Sequence, residues 1–496
     1  MSFRHCGPLG LLLLLGCSAQ RVLTSTNDDW AGTAPGADKI ERVLLISIDG
    51  FHASDLTRYL ESRPDSTLAR LAKLGVRYTK AAAPFPSDSF PGVLAWATGG
   101  TPRSTGVFYD ISYDRSLAAP GSDCSTLGTV VDFSETVDVD SSQPDGGGGI
   151  NPSALPRDPA AGCTPIFPHQ YLRVNTLFEV LHDAGRRSAW SDKHLSYDVL
   201  RGPSGNGVDD LFDPEISAVQ SKVVSEVQKY DASKLEAVVR QIHGQDHAGH
   251  AASVPAFFGM NFQSVSAMQK AYGYEDAAGT PSDQLAAAID GVDDSLKTLV
   301  NELDSQKLWA STLLIIGASH GQSPIDRTRA HRLPVSLIPG LVSEVGSGLL
   351  AAATQDAVAL LWLTDSSQAP AVAEHLLANK EQAGIDHVIF GSELSTMFGD
   401  PALDSRVPDV VVVVVTGTIY TDSGKKLAEH GGMSDDDRNV ALLVVGGSPT
   451  PNVIDDPIET RQIAPTVLSA LGLAPTSLKA VGLEQTSVLP GLQLTQ

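Results

Sequence analysis

The run Val43-Leu44-Leu45-Ile46-Ser47-Ile48 is almost wholly apolar and stops at Asp49-Gly50. A short run that is apolar on both faces predicts a buried parallel strand. Thr312 to Ile316 and Val410 to Val415 read as further buried strands, and Val440 to Val445 as one more strand. Leu235 to Ile242 and Ser188 to Trp190 read as further, mixed strands. Between them the period changes. Ser66 to Gly75 places Leu68, Leu71 and Leu74 on one helical face. In Ser282 to Leu308, residues Leu285, Ile289, Val292, Leu296, Leu299 and Leu303 alternate spacings of four and three, with Asp and Lys opposite. Val174 to Ala184 and Ile463 to Leu471 are also expected helices. Apolar strands alternating with helices predict an α/β fold, a largely parallel, doubly wound sheet flanked by helices. In such sheets the carboxyl ends of the strands carry the ligands, and Asp49 sits at one of them.

Chemistry concentrates in the polar exits from these runs. In Pro84 to Gly92, Ser89 precedes Pro91, a residue suited to the first helical turn, and Gly99-Gly100 suits the helix end. A hydroxyl there faces free N–H groups and the positive end of the helix dipole, so Ser89 reads either as a cap or as a nucleophile beside an anion site. Asp246-His247-Ala248-Gly249-His250 places a carboxylate and an imidazole four apart, a pairing that suits Zn²⁺, with His247 as an additional candidate. Ser319-His320-Gly321 follows one apolar run, and Glu429-His430-Gly431 precedes another. Lys193 and His194 read either as contacts to a substrate anion or as a solvated loop. Residues 109–167 lose periodicity and are rich in Asp, Ser, Gly and Pro, the signature of a long insertion.

Composition narrows the partners. The net charge of −23 argues against a nucleic-acid polymer but allows a small phosphate ester at a site whose local charge is reversed. Arg4 and His5 precede the apolar run Leu9 to Leu15, too short to span a bilayer, which predicts an export signal over residues 1–19. Leu14-Leu15-Gly16-Cys17 resembles a bacterial lipoprotein processing site with Cys17 as a lipidated tether, and cleavage after Ala19 is the rival. The protein is thus expected to be periplasmic, outer-membrane-anchored or secreted. Residues 20–38 read as a flexible tether. Cys124 and Cys163 are then either a disulfide, permitted in an exported chain, or two free thiols.

In motif order, from about Ile40 to Leu489, the chain resembles the alkaline phosphatase superfamily, and within it the type I phosphodiesterase/nucleotide pyrophosphatase family. The matching pieces are Asp49-Gly50, Ser89-Phe90-Pro91-Gly92 against Thr-Phe-Pro-Asn, Asp246 with Gly249 and His250, Ser319-His320-Gly321 against Asp-His-Gly, and His430-Gly431. The resemblance implies one elaborated alkaline-phosphatase-like domain over residues 39–490, with the insertion 109–167. It implies two divalent metal ions, expected to be zinc, one on Asp49 and His320 and the other on Asp246, His250 and His430. It also implies hydrolysis of a phosphoric ester through a phosphoserine on Ser89. Two departures stand out: Ser319 replaces a metal-binding Asp, and Gly92 replaces an Asn that contacts the transferring phosphoryl group. They leave monoester, phosphonate or sulfate hydrolysis open, as well as a relative that binds its ligand without turnover. A structural envelope protein is the remaining reading. The oligomeric state is not readable from the sequence.

Overall fold

The computed structural model describes residues 39–447 and 451–494. The expected signal, Cys17 and tether lie outside the described residues. The strand Arg42–Ile48, buried along almost its whole length, is central in a nine-stranded sheet. Thr312–Gly317 pairs with it in parallel on one side and Phe257–Phe262 on the other, and beyond Phe257–Phe262 lie Ala189–Ser191 and Asp210–Phe212, all parallel. On the far side of Thr312–Gly317, Asn439–Val445 runs antiparallel and pairs in turn with Gly75–Ala82. Helices cover both faces. The longest is Asp283–Ser305, whose Leu285, Ile289, Val292, Leu296, Leu299 and Leu303 are all buried, as the spacing predicts.

Two expected strands are corrected. Leu235 to Ile242 is the last part of the helix Val224–Ile242. Its buried positions, including Val227, Tyr230, Lys234, Ala237, Val238 and Gln241, keep a helical period that extends well upstream of the mixed run. Val410–Val414 is a strand but does not join the large sheet. It is central in a separate antiparallel sheet with Val358–Leu363 and Ile385–Phe390, edged by Leu350–Gln355. Helices Leu337–Val345 and Ala369–Ala378 pack on one face of that sheet. Its other face packs on Phe85, Phe108 and Tyr109 of the main body. A strand buried on both sides by different layers has the same all-apolar pattern as one buried between helices, so periodicity cannot choose between them.

The insertion is built from a hairpin, Ile111–Asp114 with Thr129–Asp132, and a disulfide between Cys124 and Cys163. Closing a loop of about 40 residues stabilises by roughly 3–4 kcal/mol in the chain-entropy account. The double variant Cys124→Ser/Cys163→Ser is expected to lose about that much in urea unfolding. Among the described residues, no helix is long and apolar enough to cross a membrane.

Candidate active site

The carboxyl ends of four adjacent parallel strands converge on Asp49. Arg42–Ile48 ends at Asp49 itself, Thr312–Gly317 leads to Ser319 and His320, Phe257–Phe262 carries Asn261 and leads to Gln263, and Ala189–Ser191 leads to Lys193. Gly50, at φ +77°, makes the turn after Asp49 and donates its N–H to the His320 carbonyl at 3.1 Å. Both Asp49 oxygens are satisfied by the protein. Oδ1 accepts from Asn261 Nδ2 at 2.8 Å and from the Ser319 hydroxyl. Oδ2 accepts from Lys193 Nζ at 2.6 Å and Gln263 Nε2 at 2.7 Å. Burial raises the carboxyl, but the Lys193 ammonium outweighs it and holds Asp49 well below the carboxylate range. For Lys193, burial acts downward, yet Asp49 and Asp192 keep it above its ordinary value, so the pair is ionic. Burial pushes Asp192 itself up to about 6.

Ser89 opens the helix Ser89–Thr98, and the cap is Asp88, whose side chain accepts from Phe90 N at 3.1 Å. The capping role for Ser89 is therefore taken by its neighbour, and the Ser89 hydroxyl is left for the site. Its Oγ accepts from Lys193 Nζ at 2.8 Å and lies 3.1 Å from His320 Nε2. His320 Nδ1 is 2.8 Å from the Gly321 carbonyl, which can only accept. The proton of a neutral imidazole is thereby placed on Nδ1, and Nε2 accepts from Ser89. Gly92, one turn into the helix, lies against the Ser319 backbone, and a Cβ there would sit 2.2 Å from the Ser319 carbonyl oxygen. The position that resembles an Asn of the family has no room for one. Gly92→Asn is expected to push the His320 loop away, with a stability loss of about 1–3 kcal/mol and loss of activity, read by thermal melting beside turnover.

Ser89 opens into a cavity of about 510 Å³. Phe90, Phe133, Tyr197 and Tyr272 supply aromatic walls, and Lys193, Lys222, Lys270, Lys425 and Lys426 supply cations. In a chain of charge −23, five lysines gather around one cavity; Lys193 pairs with Asp49, Lys270 and Lys426 pair with Glu429, and Asp88 and Asp110 line the same cavity. Asp110, Phe133 and Ser134 show that the insertion forms part of the wall. His194 lines it too, held by Glu215 at 2.9 Å. His430 enters from the loop before Asn439–Val445, with its ring 4.3 Å from that of His320. Burial and Lys270 hold it well below its ordinary range, so it is neutral. Burial pushes Asp88, 3.5 Å from His430 Nδ1, up to about 7.

The sequence signature described as "Type I phosphodiesterase / nucleotide pyrophosphatase" matches residues 43–435. The chain belongs to this family. Membership makes it a hydrolase acting on phosphoric ester bonds, in a family that acts on small nucleotide and phosphodiester substrates and is metal-dependent in general. Similar solved structures include murine ectonucleotide pyrophosphatase/phosphodiesterase 5 (TM-score 0.58, 14% identity, 88% of this chain and 96% of that one). An inactive form of the murine protein in complex with AMP matches equally. The human protein matches with TM-score 0.57 and 14% identity, over 87% of this chain and 95% of that one. At that identity the likeness concerns the fold, which is the alkaline-phosphatase-like one. No curated protein sequence matches the chain at a significant level.

The donor set departs from what a phosphodiesterase of this family implies. Asp246 and His250 are not brought to the site. They lie on the loop between Val224–Ile242 and Phe257–Phe262, at the amino ends of the parallel strands and so on the opposite edge of the sheet. There they bond each other, with the His250 side chain 80% exposed. His247 caps Asp210 on the same edge. The two-metal arrangement drawn from those residues is corrected accordingly. Asp49, His320 and His430 do converge, but the residues around Asp49 do not fit a divalent ion. An ammonium occupies the space between Asp49 and Ser89, and the three other partners of Asp49 are an amide, a second amide and a hydroxyl. Among the described residues, one group of His, Cys, Asp and Glu brings ligand atoms within 4.8 Å of one another: Asp356, Glu429 and His430. Its Glu429 is already paired with Lys270 at 2.7 Å and with Lys426.

Asn261 and Gln263 were not singled out by sequence reasoning. Their signal was the run Phe257–Phe262, whose aromatic and small residues hide a strand that ends in two amides.

Proposed function

We propose that the protein hydrolyses a small phosphodiester through a phosphoserine on Ser89. The observation that carries this reading is the Ser89 hydroxyl, uncapped and buried at the floor of a lysine-lined cavity, in hydrogen-bond reach of an imidazole nitrogen and an ammonium. A nucleophile needs a base and a stabiliser of developing charge, and both are within about 3 Å here. Aromatic walls suit an ester with an apolar or planar group, and the lysines suit its phosphoryl oxygens. Lys193 contacts the nucleophile directly, and His194 lies further out on the same wall. The disulfide between Cys124 and Cys163 supports an oxidising compartment, consistent with export.

The test compares p-nitrophenyl esters as a diester, a monoester and a sulfate, with rapid acid quench and peptide mass spectrometry. Diester turnover with phosphate recovered on the Ser89 peptide is the expected result. Preference for the monoester or sulfate keeps the nucleophile and changes the substrate class. Binding without turnover of any ester would favour the ligand-binding reading, to which Ser319, in place of a metal-binding Asp, already points.

A further inference from the structure

We propose that this site works without a catalytic metal, with the Lys193 ammonium as its resident cation and His320 as its base. The inference rests on the phosphoric-ester reading of Ser89. Three observations carry it. First, Lys193 Nζ bridges the central carboxylate and the nucleophile, 2.6 Å from Asp49 Oδ2 and 2.8 Å from Ser89 Oγ. Second, Asp49 spends its remaining lone pairs on Asn261, Gln263 and Ser319, donors that cannot serve as anionic ligands. These donors are themselves fixed: Gln263 also bonds Asn261, and the Gln263 and Ser264 backbone N–H groups are held at 2.9 Å by the buried Asp231 carboxylate. Third, a further lysine is sealed beneath the site. Lys234 is fully buried, with Nζ 3.4 Å from Asp231 Oδ1. Lys193 thus balances the Asp49 carboxylate, which would otherwise attract a divalent ion.

The chemistry balances with these groups alone. Ser89 Oγ passes its proton to His320 Nε2 and forms the bond to phosphorus. The bond from phosphorus to the leaving oxygen breaks, and that oxygen takes the proton from His320 as an alcohol departs. Water then attacks the phosphoserine and gives a proton to His320, which returns it to Ser89 Oγ as the Oγ–P bond breaks. Throughout, Lys193 donates to Oγ and offsets the charge on the phosphoryl oxygens. His320 keeps its Nδ1 proton on the Gly321 carbonyl, 2.8 Å away.

The experiment uses the full chain, dialysed against chelator and then assayed on bis(p-nitrophenyl) phosphate, with metal content read by mass spectrometry. The expected result is unchanged turnover, no stoichiometric metal, and no gain on adding Zn²⁺. Lys193→Ala is expected to lower kcat at least ~10²-fold, with partial rescue by methylammonium, which a merely structural lysine would not show. If Lys193→Ala does not fold, the neutral pair Asp49→Asn/Lys193→Met replaces it and is expected to be folded, inactive and indifferent to chelator. Turnover that chelator removes and Zn²⁺ restores, or native turnover in the neutral pair, overturns the inference and leaves the phosphodiester reading standing. No turnover of the native chain in either metal state counts against that reading instead, and stoichiometric zinc retained through dialysis would then overturn the inference separately.

Discussion

Ser89→Ala is expected to lower diester turnover by about 10³–10⁶-fold, the range seen when a nucleophile is removed from an otherwise intact site. The fold should barely respond. Ser89 Oγ makes contacts only within the site, while Asp88 caps the helix, and Lys193 keeps its stronger bond to Asp49. The cavity and its lysines also stay, so ligand affinity should change little and the loss should fall on kcat. Steady-state kinetics beside a thermal melt would check this. Retained turnover with an unchanged melt would show that another group attacks phosphorus.

Asp49→Ala should have the largest effect on stability. The carboxylate is 1% exposed and serves four donors: Lys193, Asn261, Gln263 and Ser319. Removing one member of a buried pair leaves the other charge uncompensated, at a cost of about 3–5 kcal/mol. Lys193 would retain Ser89 as a neutral partner. The sign with pH follows from the direction of the Asp49 shift. Its folded-state pKa lies well below the ordinary 3.8, so its contribution is complete above that value and is lost as pH falls through the folded-state pKa. The gap between wild type and variant should therefore be full at neutral pH and narrow in acid. Toward alkaline pH the variant should recover some stability, as its unpaired Lys193 sheds a proton more readily. Urea unfolding across pH would test this. A pH-independent gap would mean that lost hydrogen bonds rather than the ion pair set the cost.

Half of the site was legible because its residues follow strands with a strong apolar signal. Asp49 closes Val43 to Ile48, and His320 follows Thr312 to Ile316, so their place at carboxyl ends could be read directly. Asp246 and His250 show the limit. Their residue types and spacing suit a metal, but a loop is as near to the amino end of the next strand as to the carboxyl end of the last. Reading Leu235 to Ile242 as a strand put the pair on the functional edge, and the helix that is there moves it to the other side. Lys193 shows the converse. In the sequence it reads either as a contact to a substrate anion or as part of a solvated loop, and only its 2.6 Å approach to Asp49, across 144 positions, places it at the nucleophile.

The sequence alone determined the layered α/β architecture, the order of its strongest strands and the isolation of a serine at a helix start. These are local matters: apolar runs must be buried, periods of two and 3.6 select element types, and Pro and Gly punctuate helix ends. The tertiary structure decided which edge of the sheet each loop occupies, and that an ammonium with three neutral donors surrounds the central carboxylate. Those outcomes depend on contacts between residues far apart in the chain. Whether a buried carboxylate accepts a metal or a lysine is settled by the groups that three neighbouring strands bring to within 3 Å of it.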